Sequence, residues 1–63
     1  MKEVFTLNNN NDNYYLFPSK DNYVLKYIKD KKEHSKEIEI KDVINEMDNI
    51  EKETGKQFKI ITL

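Results

Sequence analysis

The 63 residues contain no cysteine, no arginine and no alanine, and they contain a single histidine, glycine and proline. The absence of cysteine excludes disulfide bonds and thiolate metal sites. With His34 as the lone imidazole, a zinc site built from four protein ligands is not expected either. A domain this short buries only about 60% of the surface that its unfolded chain exposes. We therefore expect a second copy to supply part of the missing stability, and we predict a homodimer.

The charges are balanced, because 11 lysines oppose 12 aspartates and glutamates and leave a net charge of −1. Such a chain has no overall attraction to nucleic acid or to an anionic membrane. Since every basic residue is lysine, the chain lacks the planar guanidinium that makes bidentate contacts to phosphate and guanine. This argues against sequence-specific reading of DNA, but it leaves sequence-tolerant contacts to a nucleic-acid backbone open.

Long apolar runs are also absent. No segment approaches the roughly 20 apolar residues needed to cross a bilayer, and Met1–Leu7 lacks the basic and then apolar pattern of a signal peptide. We therefore expect a cytoplasmic protein without membrane contact. Lysine, asparagine, isoleucine and tyrosine are abundant, and their codons are AT-rich. This composition indicates a low-GC bacterium, its phages or its plasmids, and hence the host cytoplasm if a phage encodes the chain.

Alternating apolar residues predict four short strands in the first two thirds of the chain. The intervening polar segments, Asn8–Asn13 and Ser19–Asn22, are interpreted as hairpin loops, and Asp30–Lys36 as a charged connection. The second strand is expected to end at Pro18, because proline cannot donate to a ladder. The predicted strands are Lys2–Leu7, Tyr14–Phe17, Tyr23–Ile28 and Glu37–Ile40, with Ile38 and Ile40 facing inward.

Helical spacing follows from Asp42 to Thr54. Asp42 is a candidate N-cap, and Gly55 stands where a C′ glycine would end the helix. A last strand is predicted at Gln57–Leu63. The chain is thus predicted to be a single α+β domain over residues 1–63: a four-stranded antiparallel meander, one helix packed on the sheet and a short C-terminal strand. The apolar stripe of the helix consists of Val43, Ile44, Met47 and Ile50.

The second, third and last predicted strands carry apolar residues on both faces. A sheet with one solvated face should not show this pattern. We therefore expect that a second copy or a binding partner covers the face that the helix leaves free.

Tyrosines interleaved with lysines on the second and third strands form the candidate binding surface. Exposed rings can stack on bases while lysines contact phosphates, which is the pattern of sequence-tolerant single-strand binding. The alternative is that the rings fill the core and a dimer interface, for which tyrosine is equally suited. The candidate residues for nucleic-acid or partner binding are Tyr14, Tyr15, Tyr23, Tyr27, Lys20, Lys26 and Lys29.

A second cluster gathers Asp30, Glu33, Glu37 and Glu39 around His34. A metal-dependent nickase needs carboxylates collected on one site, whereas the plainer interpretation is a solvated loop followed by charges that protect an edge strand. The sequence contains no recognised metal spacing, glycine-rich phosphate loop or nucleophilic triad. We therefore predict no catalytic residues, metal or cofactor, and favour a binding protein over an enzyme.

The order of elements, with Glu37–Ile40 running into Lys41–Ile44 after three earlier strands, resembles the positive cofactor four family over residues 2–54. That resemblance implies a dimeric single-strand-binding protein with a curved four-stranded sheet. In size and composition the chain also looks like small phage proteins that inhibit host defence, including anti-CRISPR proteins. We predict a non-catalytic inhibitor of a host defence or nucleic-acid enzyme, acting as a homo-oligomer. A single-strand-binding protein and a small metal-dependent nickase are the alternatives.

Overall fold

The computed structural model of the protein describes residues 2–10 and 12–63. Over these residues the chain forms five strands and one α-helix, with a 3₁₀ turn at Ile40–Asp42 leading into the helix. The predicted α+β class and the predicted order of elements are confirmed. The elements are β1 Glu3–Asn9, β2 Asp12–Ser19, β3 Asn22–Lys29, β4 Lys32–Glu39, α1 Val43–Thr54 and β5 Lys59–Thr62.

The strands form one antiparallel sheet in the order β4-β3-β2-β1-β5. The first four strands are the predicted meander, and the last strand returns to pair with the outer side of β1. Thr6 lies opposite Lys59 and Glu3 lies opposite Thr62. One residue further along, Lys2 and Leu63 exchange both backbone hydrogen bonds, with N···O distances of 3.2 and 2.8 Å.

The hairpin turns are tighter than the sequence predicts. The prediction of a charged connection over Asp30–Lys36 is wrong: Asp30 and Lys31 alone make the turn, with φ of 54° and 66°, and β4 already begins at Lys32. Positive φ at both central residues is the geometry of a type I′ turn, whose twist matches that of the flanking strands. The predicted Asn8–Asn13 loop is also too long, because β1 continues to Asn9 and β2 begins at Asp12. Asn11, which belongs to that prediction, lies outside the described residues.

Pro18 does not end β2, which continues to Ser19. Because Lys20 and Asp21 form a two-residue turn, Ser19 and Asn22 are its hydrogen-bonded closing pair, and Pro18 falls on the next, non-hydrogen-bonded pair with β3. On its other side, the ladder between β1 and β2 ends before Pro18 is reached. The missing N–H of proline therefore removes no ladder bond, which is why the strand tolerates it.

Helix α1 begins after the 3₁₀ turn. Asp42 stands at the N-cap position but its side chain makes no capping hydrogen bond. Two isoleucines predicted to face inward are exposed: Ile40, in the 3₁₀ turn, is 60% exposed, and Ile44 is 67% exposed. Ile40 leaves the strand alternation because it stands in the 3₁₀ turn. On the helix, the stripe that faces the sheet is Val43, Met47 and Ile50, so Ile44 points to solvent. The predicted helix end is confirmed, because Gly55 has a left-handed φ of 71° and donates its N–H to Glu51 O at 2.8 Å.

The helix packs on one face of the sheet, here called the helix face. Val43 and Ile50 are its buried anchors, and Met47 is half-buried beside them. A partly exposed ion pair between Lys36 on β4 and Glu46 on the helix, with an N···O distance of 3.3 Å, also links the helix to the sheet. The buried cluster on this face consists of Leu7, Tyr14, Leu16, Leu25, Ile38, Val43 and Ile50.

Candidate binding surface

The opposite face of the sheet, here called the open face, has no described element packed on it. Strand alternation assigns its residues directly from the register, because neighbours in a strand point to opposite faces. From the β5 edge to the β4 edge, the open face carries Ile61 and Lys59, then Val4 and Thr6, Phe17 and Tyr15, Val24, Lys26 and Ile28, and finally Glu37, Ser35 and Glu33.

The open face has a buried centre of its own. Val4 is 1% exposed, as little as the deepest residues of the helix face, yet it does not belong to the helix-side cluster. Its side chain is short, and Ile61 lies opposite it on β5 while Phe17 occupies the corresponding position on β2. These two larger side chains stand beside Val4, and they remain accessible: Phe17 is half-buried and Ile61 is exposed. Such a contiguous apolar surface is typical of an interaction site.

Tyr15 and Phe17 form the aromatic part of this surface. Their rings stack with 6.3 Å between centroids and 27° between planes. The ammonium group of Lys26 lies 6.0 Å from the centre of the Phe17 ring, at the outer limit of a cation–π contact. The groove beside them has a volume of about 390 Å³. It is lined by Tyr15, Phe17, Lys26, Tyr27, Ile28, Glu33, His34 and Ser35.

A row of carboxylates borders the open face along β4. Glu33, Glu37 and Glu39 alternate along the strand on this side, and all three are exposed. Against them, the face carries the lysines Lys26 and Lys59. The charge at this border is therefore negative, and it would attract basic side chains and repel phosphates.

The predicted binding residues are divided between the two faces. Tyr15 and Lys26 lie on the open face, opposite each other across β2 and β3. The remaining tyrosines of the set, Tyr14, Tyr23 and Tyr27, project to the helix face, where Tyr14 is buried and the other two are half-buried against the core. Lys20 lies in the β2–β3 turn and Lys29 ends β3. The structure therefore does not bring the predicted set together as one platform.

Several open-face residues were not in the predicted set: Val4, Phe17, Val24, Ile28 and Ile61. The signal that would have found them is the alternation itself. Once Tyr14 and Leu16 are placed in the core, Tyr15 and Phe17 must face the other way, and their register partners follow.

On the helix face, three rings form a row across β2, β3 and β4. Tyr14 stacks on Tyr27 at 5.5 Å, and Tyr27 stacks on His34 at 4.8 Å between centroids. Burial raises the pKa of the Tyr14 hydroxyl above its ordinary value, an effect that the positive charge of Lys29 partly opposes. Tyr14 and Tyr27 pack against the buried cluster under the helix, whereas His34 is exposed on the edge strand. The two tyrosines are therefore used in packing and do not form an open stacking platform.

The acidic cluster around His34 is not assembled in the way that a nickase would require. His34 lies on the strand side opposite to Glu33 and Glu37, and Asp30 stands in the turn. Within residues 2–10 and 12–63, no group of three or more histidine, aspartate or glutamate side chains could hold a metal ion. The physical reason is that this segment is a strand, which sends successive side chains in opposite directions.

Comparison of the chain with protein-family models, with curated proteins and with solved structures finds no match. The resemblance to the positive cofactor four family therefore depends on element order alone, and the likeness to anti-CRISPR proteins on size and composition alone. Across the described part of the chain, the structure contains no helix whose length and apolar content would let it cross a membrane.

Proposed function

We propose that this chain is a non-catalytic binding protein whose open face holds a segment of a partner protein. The observation that carries the proposal is a row of half-buried and exposed apolar side chains across a face that no described element covers. The row consists of Ile61, Phe17, Tyr15, Val24 and Ile28, beside the buried Val4. Each such side chain gains free energy when it leaves water, at about 25 cal/mol per Å² of apolar surface. A partner that covered this face would therefore be held mainly by apolar contact.

The charges on the open face specify the partner further. Glu33, Glu37 and Glu39 form one border, so a complementary segment would place basic side chains there and an apolar stripe over Tyr15 and Phe17. Electrostatic complementarity of this kind sets orientation and association rate more than affinity. The partner surface that fits is an amphipathic segment with lysine or arginine along one side.

We infer a biological class for the partner from the composition of the chain. A small binding protein whose abundant residues have AT-rich codons would fit an inhibitor, encoded by a phage or mobile element, of a host defence or nucleic-acid enzyme. Such enzymes carry basic surfaces for their nucleic-acid substrates. The acidic border of the open face would suit a basic segment of that kind.

Capture experiments with matched variants test the proposal. The immobilised protein is exposed to nuclease-treated lysate of a low-GC bacterium, beside a Tyr15→Asp/Ile28→Asp variant that puts charge on the open face. Ile44→Asp is the control, because Ile44 is 67% exposed on the helix and remote from that face. We expect the wild type and the control to retain the same protein and the open-face variant to lose it. Equal retention by all three folded proteins would contradict the proposal.

A single-strand-binding function is the second candidate, and the Tyr15–Phe17 stack beside Lys26 favours it. Base stacking on one aromatic ring contributes about 1 to 3 kcal/mol. Fluorescence anisotropy with a labelled single-stranded oligonucleotide at low salt tests it. Binding that weakens with salt and is lost in Tyr15→Ala but kept in the helix-face variant Tyr23→Ala would support this function. An unchanged anisotropy would rule it out.

A further inference from the structure

The two edges of the sheet differ in how they are protected. β4 is an exposed edge of eight residues whose side chains are mostly charged, which is a usual defence of an edge strand against pairing with another chain. β5 is the other edge and carries a single charge, Lys59. Its apolar side chains are exposed on both faces, with Ile60 59% and Ile61 43% exposed, and Leu63, directly after the strand, is 67% exposed. An edge of this kind is a template for a further strand.

The hydrogen bonds at the end of the sheet show which backbone groups of β5 are free. Lys2 and Leu63 exchange both bonds and are therefore a hydrogen-bonded pair. Antiparallel ladders alternate, so Ile61 also directs its N–H and C=O toward β1. It follows that Ile60 and Thr62 direct their backbone N–H and C=O groups away from β1, toward the outer edge of the sheet.

We propose that β5 pairs with β5 of a second copy, antiparallel and two-fold symmetric, so that two five-stranded sheets join into one of ten strands. In the register that uses all the outward groups, Ile60 of each copy lies opposite Thr62 of the other. Each of these two pairs exchanges two backbone hydrogen bonds, which makes four in total. Ile61 then lies directly opposite Ile61 of the second copy, at a non-hydrogen-bonded position. In this arrangement the homodimer interface is the β5 edge of the sheet, and the open face remains free for a partner protein.

Charge and symmetry favour a second copy as the occupant. In this register Lys59 lies opposite the apolar Leu63, and the two copies of Lys59 are separated by about 14 Å along the strands. Pairing between β4 edges would instead bring two rows of glutamate together, and like charges directly opposite are destabilising. The two-fold arrangement also closes after two copies, whereas pairing of β5 with β4 would continue into a filament.

A cysteine pair tests the register. The chain has no cysteine, so one introduced thiol reports contact between copies. Residues at a non-hydrogen-bonded pair have Cα atoms about 4.5 Å apart, within the range of a disulfide. We therefore expect Ile61→Cys to form a disulfide dimer under mild oxidation. The control Ile60→Cys is more exposed, but its symmetry mate lies diagonally at about 7 to 8 Å, so it should cross-link at least tenfold more slowly. Equal rates would overturn the proposal.

Sedimentation equilibrium on the full chain tests the edge itself. Thr62→Pro removes an outward N–H and should weaken the dimer at least tenfold while leaving the β1–β5 bonds intact. Its control Ser35→Pro removes an outward N–H on the β4 edge and should leave the dimer unchanged. Ile60→Lys should weaken the dimer, and Ile44→Lys should not. A wild-type monomer at submillimolar concentration, growth beyond two copies, or a dimer indifferent to Thr62→Pro and Ile60→Lys would each refute the pairing.

Discussion

The ring of Tyr27 stacks on the imidazole of His34 at 4.8 Å between centroids and 19° between planes, and the two residues are directly opposite each other on β3 and β4. This contact adds side-chain packing to the backbone pairing of the charged edge strand with β3. On its other side, Tyr27 stacks on the buried Tyr14, so the row of rings connects β4 to the core.

We expect a measurable coupling between Tyr27 and His34. Cross-strand aromatic pairs contribute about 0.5 to 1 kcal/mol beyond simple burial. A double-mutant cycle with Tyr27→Leu and His34→Ala, measured by urea unfolding, should return a coupling of that size. Pairing Tyr27→Leu with Ser35→Ala, which alters the opposite face of β4, should give a coupling near zero. Similar couplings for both pairs would show that the stack adds nothing.

A glycine at position 31 in the β3–β4 turn should increase the stability of the protein. Lys31 holds a φ of 66°, and the left-handed region costs a residue with a side chain about 1 to 2 kcal/mol. Glycine avoids that strain but loses more backbone entropy on folding, so we expect Lys31→Gly to stabilise the protein by about 0.5 to 1 kcal/mol. Thermal unfolding followed by circular dichroism would detect this gain. Lys32→Gly, inside β4, is the control and should destabilise the protein.

Replacing Gly55, at the end of the helix, tests the same backbone strain in the opposite direction, because here a glycine is exchanged for a residue with a side chain. A Cβ added there would meet no atom within 4 Å, so Gly55→Ala introduces backbone strain without a clash. At φ of 71° we expect a loss of about 1 kcal/mol in the free energy of unfolding. Gly55→Asn should lose less, because asparagine tolerates the left-handed region. A loss for asparagine equal to that for alanine would argue against backbone strain as the cause.

The raised pKa of Tyr14 predicts a loss of stability in alkali. The tyrosine of the unfolded chain ionises near pH 10, whereas burial holds the folded hydroxyl neutral to higher pH. The folded state therefore binds more protons in that interval, and stability falls as pH rises through about 10 toward the raised value. Tyr14→Phe should show a smaller loss between pH 9 and 11 in otherwise identical urea titrations. Parallel curves would contradict this assignment.

The sequence predicts the element order and the two faces of the central strands, because buried strands show alternation and α1 shows helical spacing. It misses the first half of β4. Lys32–Lys36 carries no apolar residue and all of its residues are exposed, so no burial pattern marks it as a strand and its pairing with β3 does. Ile40 is misplaced because it stands in a 3₁₀ turn, which alternation does not reveal. Ile44 is misplaced because its helical spacing fits the apolar stripe, whereas the helix buries Val43 and Ile50 and half-buries Met47.

The candidate site is predicted only in part for a related reason. The tyrosines were grouped by residue type and nearness in sequence, whereas β2 sends Tyr14 to the core and Tyr15 to the open face. The apolar half of the site, with Val4 and Ile61, depends on the pairing of β5 with β1. Nothing local in either strand specifies that pairing.

The return of β5 to β1 also determines the order in which the chain can fold. Each hairpin of the meander joins near neighbours, such as Lys29 with Lys32, while β5 joins positions as remote as Thr62 and Glu3. Closing a long loop of chain costs more conformational entropy than closing a hairpin, so we expect the last strand to dock on a meander already formed. In the monomer, at concentrations below the dissociation constant of the dimer, amide exchange in deuterium should therefore release the β5 amides that bond to β1 well before those of β2 and β3.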